Sequence, residues 1–385
     1  MSEAAVLAAM VEVEQAFLDA LVDTGLAPGT ARQDLSDLVG RDDVPALAQA
    51  AEAGGNPVIP LVTLLRERVN HADTSRWLHR GLTSQDVLDT ALVLCARDAG
   101  AATRTSLRAA IEELTDLAER HRGTAMVART LTQHAVPTTF GVKVAGWLGA
   151  LLDSYDALSA LTYPLQLGGA AGTLSALVEL GDREAALACR EAVAARLGLE
   201  LVNPWHTSRG TLTRIGDAAT GCTDALAVIA NDVLTLSRPE IGELAEAAPG
   251  GSSTMPHKQN PVLSALVRRT ALAAPGLAAT LHRSGAEQVD ERAAGAWHVE
   301  WATLTVLLRR TVVAAAQAVE LVQGLRVDRR RMAATLAAAD GVRAEQRAMA
   351  ELVGRPPGET YTGLADEIID DVVARVQTAL EKEPS

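Results

Sequence analysis

The spacing of apolar residues along the chain predicts long helices. Near the start, four apolar side chains recur at steps of three and four residues, so that they share one helix face: Met10, Val13, Phe17 and Leu21. A longer seam alternates steps of four and three: Ile215, Ala219, Cys222, Leu226, Ile229, Val233 and Leu236. Because this heptad-like spacing persists along the whole seam, it predicts one long helix packed at a shallow angle against other long helices.

Further helices are predicted where alanine is frequent: about 86–120, 140–161, 261–282 and 297–325. Few segments are candidates for strands, because the two-residue alternation typical of strands is not sustained anywhere in the chain. The pattern therefore predicts an all-α protein. We divide it into an N-terminal helical domain (1–85), a central long-helix bundle (86–326) and a small C-terminal helical domain (327–385).

The composition narrows the class of protein. Of 385 residues, 48% are hydrophobic and 22% are charged, which is ordinary for a soluble globular protein and excludes disorder as the main state. The net charge of −13 and the aromatic content of 3% argue against a nucleic-acid partner. Cys95, Cys189 and Cys222 lie far apart, which indicates a reducing compartment rather than a disulfide frame or a thiolate zinc site.

The first residues lack the features of a targeting segment. No basic start is present, and Glu12 and Glu14 interrupt the first apolar stretch. The chain also has no run of about 18 uncharged apolar residues of the kind that spans a membrane. We therefore expect a soluble, cytoplasmic protein without a membrane partner.

The strongest candidate for chemistry is the loop 250–261, with the sequence GGSSTMPHKQNP. Glycines and small hydroxyl side chains favour a mobile loop whose backbone N–H groups can stabilise an anion. Lys258 adds a positive charge and Asn260 an amide, and Pro261 lies where a helix can begin. A surface loop with a helix cap is the alternative interpretation, which the particular order of these residues disfavours.

This loop resembles the signature loop of the aspartase/fumarase superfamily. Two other stretches resemble that superfamily in the same order, 79–90 (HRGLTSQDVLDT) and 129–141 (RTLTQHAVPTTFG). The resemblance extends over about residues 1–330. It implies a long-helix bundle of the aspartase/fumarase type, a homotetramer whose active sites are shared between subunits, a small polycarboxylate substrate and no cofactor.

Within the superfamily, the details resemble the bacterial 3-carboxy-cis,cis-muconate cycloisomerases. Gln85, Leu131 and His134 match that family, as do the segments 55–61, 167–173, 204–207, 291–292 and 295–301. The resemblance implies ring closure of 3-carboxy-cis,cis-muconate to 4-carboxymuconolactone in protocatechuate catabolism.

Two alternatives remain beside the cycloisomerase. One is another lyase of the same fold, such as an adenylosuccinate lyase or an amino- or nitro-acid lyase of secondary metabolism. Leu131 disfavours the adenylosuccinate lyase, because that family usually carries histidine at this position. The other alternative is a non-catalytic relative, against which the presence of Ser252, Lys258, Asn260 and His134 argues.

The resemblance also implies a proton-transfer site. Ser252 matches the catalytic serine of the superfamily, and its weakly basic hydroxyl needs activation, for which Lys258 and the loop N–H groups are available. His134 is a candidate proton donor or substrate partner, with a structural role as the alternative. The remaining residues expected to bind substrate are His79, Thr83, Ser84, Thr132, Gln133, His206, Arg209, Ser253, Met255, Asn260 and Arg292.

Some of these residues have competing interpretations. His79 and His206 are equally consistent with structural histidines, and Ser84 with a helix cap. Arg209 and Arg292 are candidate carboxylate clamps, because a guanidinium binds a carboxylate through two parallel hydrogen bonds, but a surface ion pair is the commoner fate of an arginine. The spacing of the histidines is not typical of a metal site, so we expect no metal.

Overall fold

The computed structural model describes residues 1–251, 253–255 and 257–381. The described chain is mostly helical, which confirms the predicted all-α class. In chain order the helices are α1 (Glu3–Asp23), α2 (Val44–Gly54), α3 (Val58–Arg68), α4 (Ala72–Trp77), α5 (Ser84–Arg120), α6 (Phe140–Ser159), α7 (Ser175–Leu180), α8 (Arg183–Leu197), α9 (Gly210–Leu236), α10 (Val262–Ala286), α11 (Ala296–Gln323), α12 (Arg329–Ala338), α13 (Ala344–Leu352) and α14 (Ala365–Glu381).

Four short strands accompany the helices in the part of the chain that the structure describes. Strand β1 (Ala125–Thr130) pairs antiparallel with β2 (Gln133–Thr139), and β3 (Leu244–Glu246) pairs antiparallel with β4 (Leu325–Val327). The β1–β2 hairpin occupies most of the second motif stretch. Its position was not evident from the sequence, because its side chains do not alternate cleanly between apolar and polar.

The predicted long helices are present. All seven residues of the heptad-like seam lie in α9, and none of their side chains is more than 3% exposed. Helix α5 begins two residues before the predicted start and ends at the predicted Arg120. Apolar residues repeated every three to four positions form a stripe along one face of a helix, and burying that face is favourable in water. This part of the fold therefore follows directly from the sequence.

The chain forms two compact units. The first unit comprises Met1–Ala101, Leu161–Asp217 and Gly276–Arg309, and the second comprises Ala102–Ala160, Ala218–Pro275 and Arg310–Ser385. Within the first unit α1 packs against α8, and within the second α6 packs against α14. The division into N-terminal, central and C-terminal domains stays a prediction.

Two of the described helices, α10 and α11, have the length and hydropathy of membrane spans. Both nevertheless carry adjacent arginines, Arg268 and Arg269 in α10 and Arg309 and Arg310 in α11. Within the protein, 33% and 44% of their most apolar 18-residue windows are buried. Core helices of soluble proteins share these properties, so length and composition are weak indications of a membrane span.

Candidate active site

A network of buried polar side chains lies in the first unit, and Arg209 is at its centre. The side chain of Arg209 is 1% exposed. Its Nε donates to Glu300, its Nη1 to Asp89 and to the carbonyl oxygen of His206, and its Nη2 to Asp89 and Glu300, over distances of 2.6 to 3.2 Å. Since a guanidinium has five N–H groups, every donor of Arg209 is engaged.

The carboxylates around Arg209 hold it as a cation. Burial alone would lower the pKa of Arg209, but Asp89 and Glu300 outweigh that effect and raise the pKa above its ordinary value. No donor is left for the carboxylate of a substrate. The geometry therefore favours a buried ion pair for Arg209 over the carboxylate clamp predicted from the sequence.

Asp86 organises the glycine-rich segment 168–172. Its buried carboxylate accepts hydrogen bonds from the backbone N–H groups of Gly168 and Gly169, at 2.9 Å each, and from that of Thr83 at 3.0 Å. The ring of His206 packs on the same segment: a Cβ at Gly168 would lie 2.6 Å from its Cε1 atom. Only glycine fits there without displacing the ring.

Of the two predicted histidines in this unit, His206 is buried and His79 is partly accessible. His206 is 6% exposed, and its Nε2 lies 3.5 Å from Asp86. One side of the His79 ring contacts the protein core, where its Nδ1 lies 2.6 Å from the buried carboxylate of Glu14. The burial of His206 favours its structural interpretation, whereas His79 keeps an edge that a ligand can reach.

Arg292 is placed to meet a ligand. Its Nη2 donates to the Thr83 hydroxyl at 2.6 Å and its Nε to Gln85 at 3.1 Å, while its guanidinium lies 5.4 Å from the ring centroid of Trp297. Ser84, the first residue of α5, follows Thr83 in the chain. Arg292 and Thr83 are half-buried, and these bonds leave Nη1 of Arg292 uncommitted among the described residues. The pair therefore offers fixed, accessible donors.

The second unit carries the other predicted residues, beginning with the tip of the β1–β2 hairpin. Leu131 and Thr132 form its two-residue turn, with φ angles of 48° and 71°. Such positive angles are uncommon for residues other than glycine. Gln133 and His134 follow at the start of β2, and all four side chains are exposed.

An ion pair holds the hairpin in place. Arg129 on β1 donates to both oxygens of Glu243, from Nη1 at 3.0 Å and from Nη2 at 2.8 Å. Glu243 is fully buried, and Arg129 faces His134 in the strand register. The strained turn at the tip of the hairpin is therefore anchored by the ion pair between Arg129 and Glu243.

The signature loop is closed by backbone pairing between Gly250 and Asn260, which exchange hydrogen bonds of 2.8 and 2.9 Å. A Cβ at Gly250 would lie 2.2 Å from the side chain of Val262, so glycine is required there. Ser253 and Lys258 are exposed, and the Lys258 N–H donates to the carbonyl of Met255. Ser252, the predicted proton-transfer residue, lies outside the described residues.

A cavity of about 610 Å³ adjoins this loop. Its lining includes Met255, Lys258 and Asn260 from the loop and Arg238 from the segment after α9. Two cationic side chains thus line a space large enough for a small organic acid.

The structure places the predicted residues in two groups. The first unit holds His79, Thr83, Ser84, His206, Arg209 and Arg292. The second unit holds Thr132, Gln133, His134, Ser253, Met255, Lys258 and Asn260. Among the described residues, no group of three or more histidine, cysteine, aspartate or glutamate side chains is arranged to hold a metal ion.

Comparison with known proteins identifies the family. A family model described as a lyase matches residues 46–276. The chain is 42% identical over 364 residues to a nitrosuccinate lyase from Streptomyces davaonensis, covering 91% of this chain and 77% of the relative. It is 40% identical over 363 residues to a 3-carboxy-cis,cis-muconate cycloisomerase from Pseudomonas aeruginosa, covering 91% and 78%. The chain belongs to the aspartase/fumarase superfamily of lyases.

A solved structure supports the same assignment. The 3-carboxy-cis,cis-muconate lactonizing enzyme from Pseudomonas putida superposes with a TM-score of 0.82 at 33% identity, covering 100% of this chain and 87% of that one. The resemblance inferred from the motif stretches is thereby confirmed at the level of the superfamily, including its similarity to the cycloisomerases.

In this member of the superfamily, sequence reasoning missed the acidic residues that support the site. Asp86, Asp89 and Glu300 are buried and bind the side chains and backbone around them, and none of the three is among the residues predicted from the sequence. A signal was available, because Asp86 and Asp89 lie three residues apart among apolar residues at the start of α5. Acidic residues on a buried helix face require partners in the core.

Proposed function

We propose that the protein is a 3-carboxy-cis,cis-muconate cycloisomerase, acting on a small polycarboxylate by proton transfer at a carbon next to a carboxylate. The observation that carries this proposal is the signature loop, closed by Gly250 and Asn260, which presents Lys258 at a cavity lined by a second cation, Arg238. Cycloisomerases at about 40% identity and with a similar fold support it.

The reaction needs only groups of the protein. A carboxylate oxygen of the substrate forms a C–O bond to its own double bond, and the displaced electron pair develops as an enolate-like anion. Lys258 and the loop N–H groups stabilise that charge, and a proton from Ser252 to the carbon completes the lactone. All atoms of the substrate remain in the product. Because ring closure is intramolecular, holding the reactive conformation supplies much of the rate.

In this mechanism the two arginines have different roles. Arg292, with Thr83 beside it, binds a substrate carboxylate through the donors that remain accessible. Arg209 supports the fold around them from the buried network. Thr132, Gln133 and His134 on the hairpin, and Ser253, Met255 and Asn260 on the loop, complete the proposed substrate contacts.

A second candidate is elimination of nitrite from nitrosuccinate, which the 42% identity to a nitrosuccinate lyase favours. In that reaction Ser252 removes the proton next to a carboxylate, the C–N bond breaks, and nitrite and fumarate leave. The same loop would stabilise the same kind of anion. The two reactions differ in the number of products.

The test is to offer purified protein each acid and to measure ultraviolet absorbance and nitrite. Cycloisomerisation predicts loss of the conjugated diene absorbance with a single product. Nitrite release from nitrosuccinate, without turnover of the muconate, would replace the proposed reaction by the elimination. Ser252→Ala should lower kcat by about 10²–10⁴, the contribution typical of a positioned acid or base. Ser253→Ala is the matched control and should lose less.

We also propose a cytoplasmic homotetramer whose active sites combine motif stretches from different subunits. Apolar side chains exposed on the long helices of the second unit support this assembly: Val228 on α9, Leu272 on α10 and Val313 on α11 are 49%, 74% and 45% exposed. Burial of these positions against other subunits would also account for the hydropathy of α10.

A further inference from the structure

Glu14 is a buried carboxylate on an otherwise apolar helix face. It is 0% exposed on α1, one turn from Met10 and from Phe17 and Leu18. Its Oε1 lies 2.6 Å from Nδ1 of His79, whereas its Oε2 has no hydrogen-bond partner among the described residues. A carboxylate buried in this way is costly, and an apolar side chain of similar size would suit the fold better.

The backbone of His79, the partner of Glu14 in this contact, is strained. His79 has a φ of 62°, in the left-handed region that residues with a Cβ rarely adopt. The preceding Leu78 is fully buried, and Gly81 follows with a φ of 104° where a Cβ would lie 3.0 Å from Leu177. The chain after α4 is thus turned sharply, and the side chain of His79 is directed onto α1.

One nitrogen of the His79 ring is left for a ligand. The side chain is 18% exposed, and Nδ1 is committed to Glu14, so the accessible nitrogen is Nε2. Arg66, which interacts electrostatically with both Glu14 and Arg80, donates to the carbonyl oxygen of Leu78 at 2.8 Å. Arg66 therefore places a cation at the backbone next to His79.

We propose that Glu14 is a positioning residue that accepts from Nδ1–H of a doubly protonated His79 ring, so that Nε2–H donates to a carboxylate of the substrate. This inference rests on the polycarboxylate substrate of the proposed function. A carboxylate at Nδ1 fixes the orientation of an imidazole, as it does for histidines that bind metals, and a second carboxylate at Nε2 requires a proton on both ring nitrogens. Without the Glu14 carboxylate, a singly protonated ring is free to present a bare nitrogen lone pair to the substrate, which repels a carboxylate.

The first test compares Glu14→Met with Glu14→Gln, and uses Glu12→Gln, an exposed glutamate on the same helix, as the matched control. Glu14→Met should weaken substrate binding on the order of tenfold to a hundredfold, as expected for a hydrogen bond to a charged group, with a smaller change in kcat. Glu14→Gln should recover part of the loss. Unfolding in urea should show Glu14→Met to be as stable as the wild type or more stable.

A double substitution separates positioning from a direct effect. In a His79→Gln background, Glu14→Met should cause no further loss of binding. An undiminished loss in that background, or wild-type binding by Glu14→Met alone, would overturn the proposal.

The second test does not depend on turnover. Solid-state NMR of protein labelled with ¹⁵N-histidine, with His79→Gln for assignment, should show both ring nitrogens of His79 protonated in the wild type but only one of them in Glu14→Met. An unchanged Nδ1 signal in Glu14→Met contradicts the inference.

If neither acid is turned over, calorimetry with tricarballylate decides between the outcomes. Weaker binding by Glu14→Met supports the role of Glu14 and His79 although the proposed reaction fails, and equal binding overturns it.

Discussion

Among single residues, the contacts of buried charged groups distinguish two arginines that had the same predicted role. Arg209 and Arg292 were both candidate clamps, yet every donor of Arg209 is bound to groups of the protein and Nη1 of Arg292 is not. The distinction arises from Asp89 and Glu300, which reach Arg209 from positions far away in the chain. No local pattern around either arginine contains that information.

We predict that Arg209→Met destabilises the fold. Removing the cation leaves Asp89 and Glu300 buried without a counter-charge, which typically costs about 3–5 kcal/mol in the free energy of unfolding. Urea unfolding followed by circular dichroism measures the loss. Adding Asp89→Asn and Glu300→Gln to Arg209→Met should recover part of it. Normal stability combined with a large loss in kcat/KM would instead identify Arg209 as a substrate clamp.

His121 gives a pH-dependent prediction in the second unit. Burial lowers the pKa of His121 from 6.5 to about 4, with Arg329 and Arg120 adding to the effect. Between these values the unfolded chain binds a proton that the folded chain does not, so stability falls as pH decreases from 6.5 and levels off below 4.

Replacing His121 by asparagine, which can still contact Thr124, should therefore flatten the dependence of unfolding free energy on pH in this range. The difference in slope should be at most about 1.4 kcal/mol per pH unit. Urea unfolding at several pH values measures both slopes. Parallel curves for the wild type and His121→Asn would contradict the prediction.

At the scale of elements, the hairpin is the feature that departs most from sequence preferences. A two-residue turn with two positive φ angles favours Asn-Gly, whereas this chain has Leu131-Thr132. A leucine that is 96% exposed contributes nothing to a core. A strained turn beside residues of a motif is typical of a functional site, where strain is retained because the geometry is needed.

The combined substitution Leu131→Asn and Thr132→Gly should stabilise the protein and reduce its activity. Relief of strain at two residues is expected to contribute about 1–3 kcal/mol per residue, measured by thermal or urea unfolding. Activity should fall because the Thr132 hydroxyl, a proposed substrate contact, is lost. Leu131→Asn alone is the control, since it keeps Thr132. Full activity in the double variant would exclude Thr132 from the site.

For the whole molecule, the main observation is that the motif stretches are divided between the two units. The stretch 79–90 and Arg292 belong to the first unit, while the hairpin and the signature loop belong to the second. Apolar positions on the long helices remain exposed. Both observations are expected of a subunit that completes its active sites by assembly.

Hybrid complementation tests this assembly. Ser252→Ala and His134→Ala should each have little activity alone, because the first lacks the proposed proton donor and the second lacks a proposed substrate contact of the hairpin. Mixing them with subunit exchange should restore part of the activity, since some sites then receive an intact loop from one subunit and an intact hairpin from another. Exchange is verified with a tagged subunit. Absence of recovery after verified exchange contradicts a shared site.

The order of residues along the chain was enough to predict the long helices, the superfamily and the motif stretches. Helical burial follows from local spacing, as the seam of α9 demonstrates, because neighbouring residues alone decide which face is apolar. The motif stretches are also contiguous, so Lys258 and His134 could be named as candidates without coordinates. Their roles stay predictions, as does that of Ser252.

Which polar side chains are committed to the fold, and which remain available to a ligand, depends on contacts between residues far apart in the chain. The partners of Arg209 are 120 and 91 residues away in the chain, and Glu14 is 65 residues from His79. The hairpin likewise depends on the pairing of Arg129 with Glu243, 114 residues apart. Hydrogen bonds and ion pairs depend on distances of a few ångströms in the folded protein, not on separation along the chain. Local periodicity in the sequence therefore cannot reveal them.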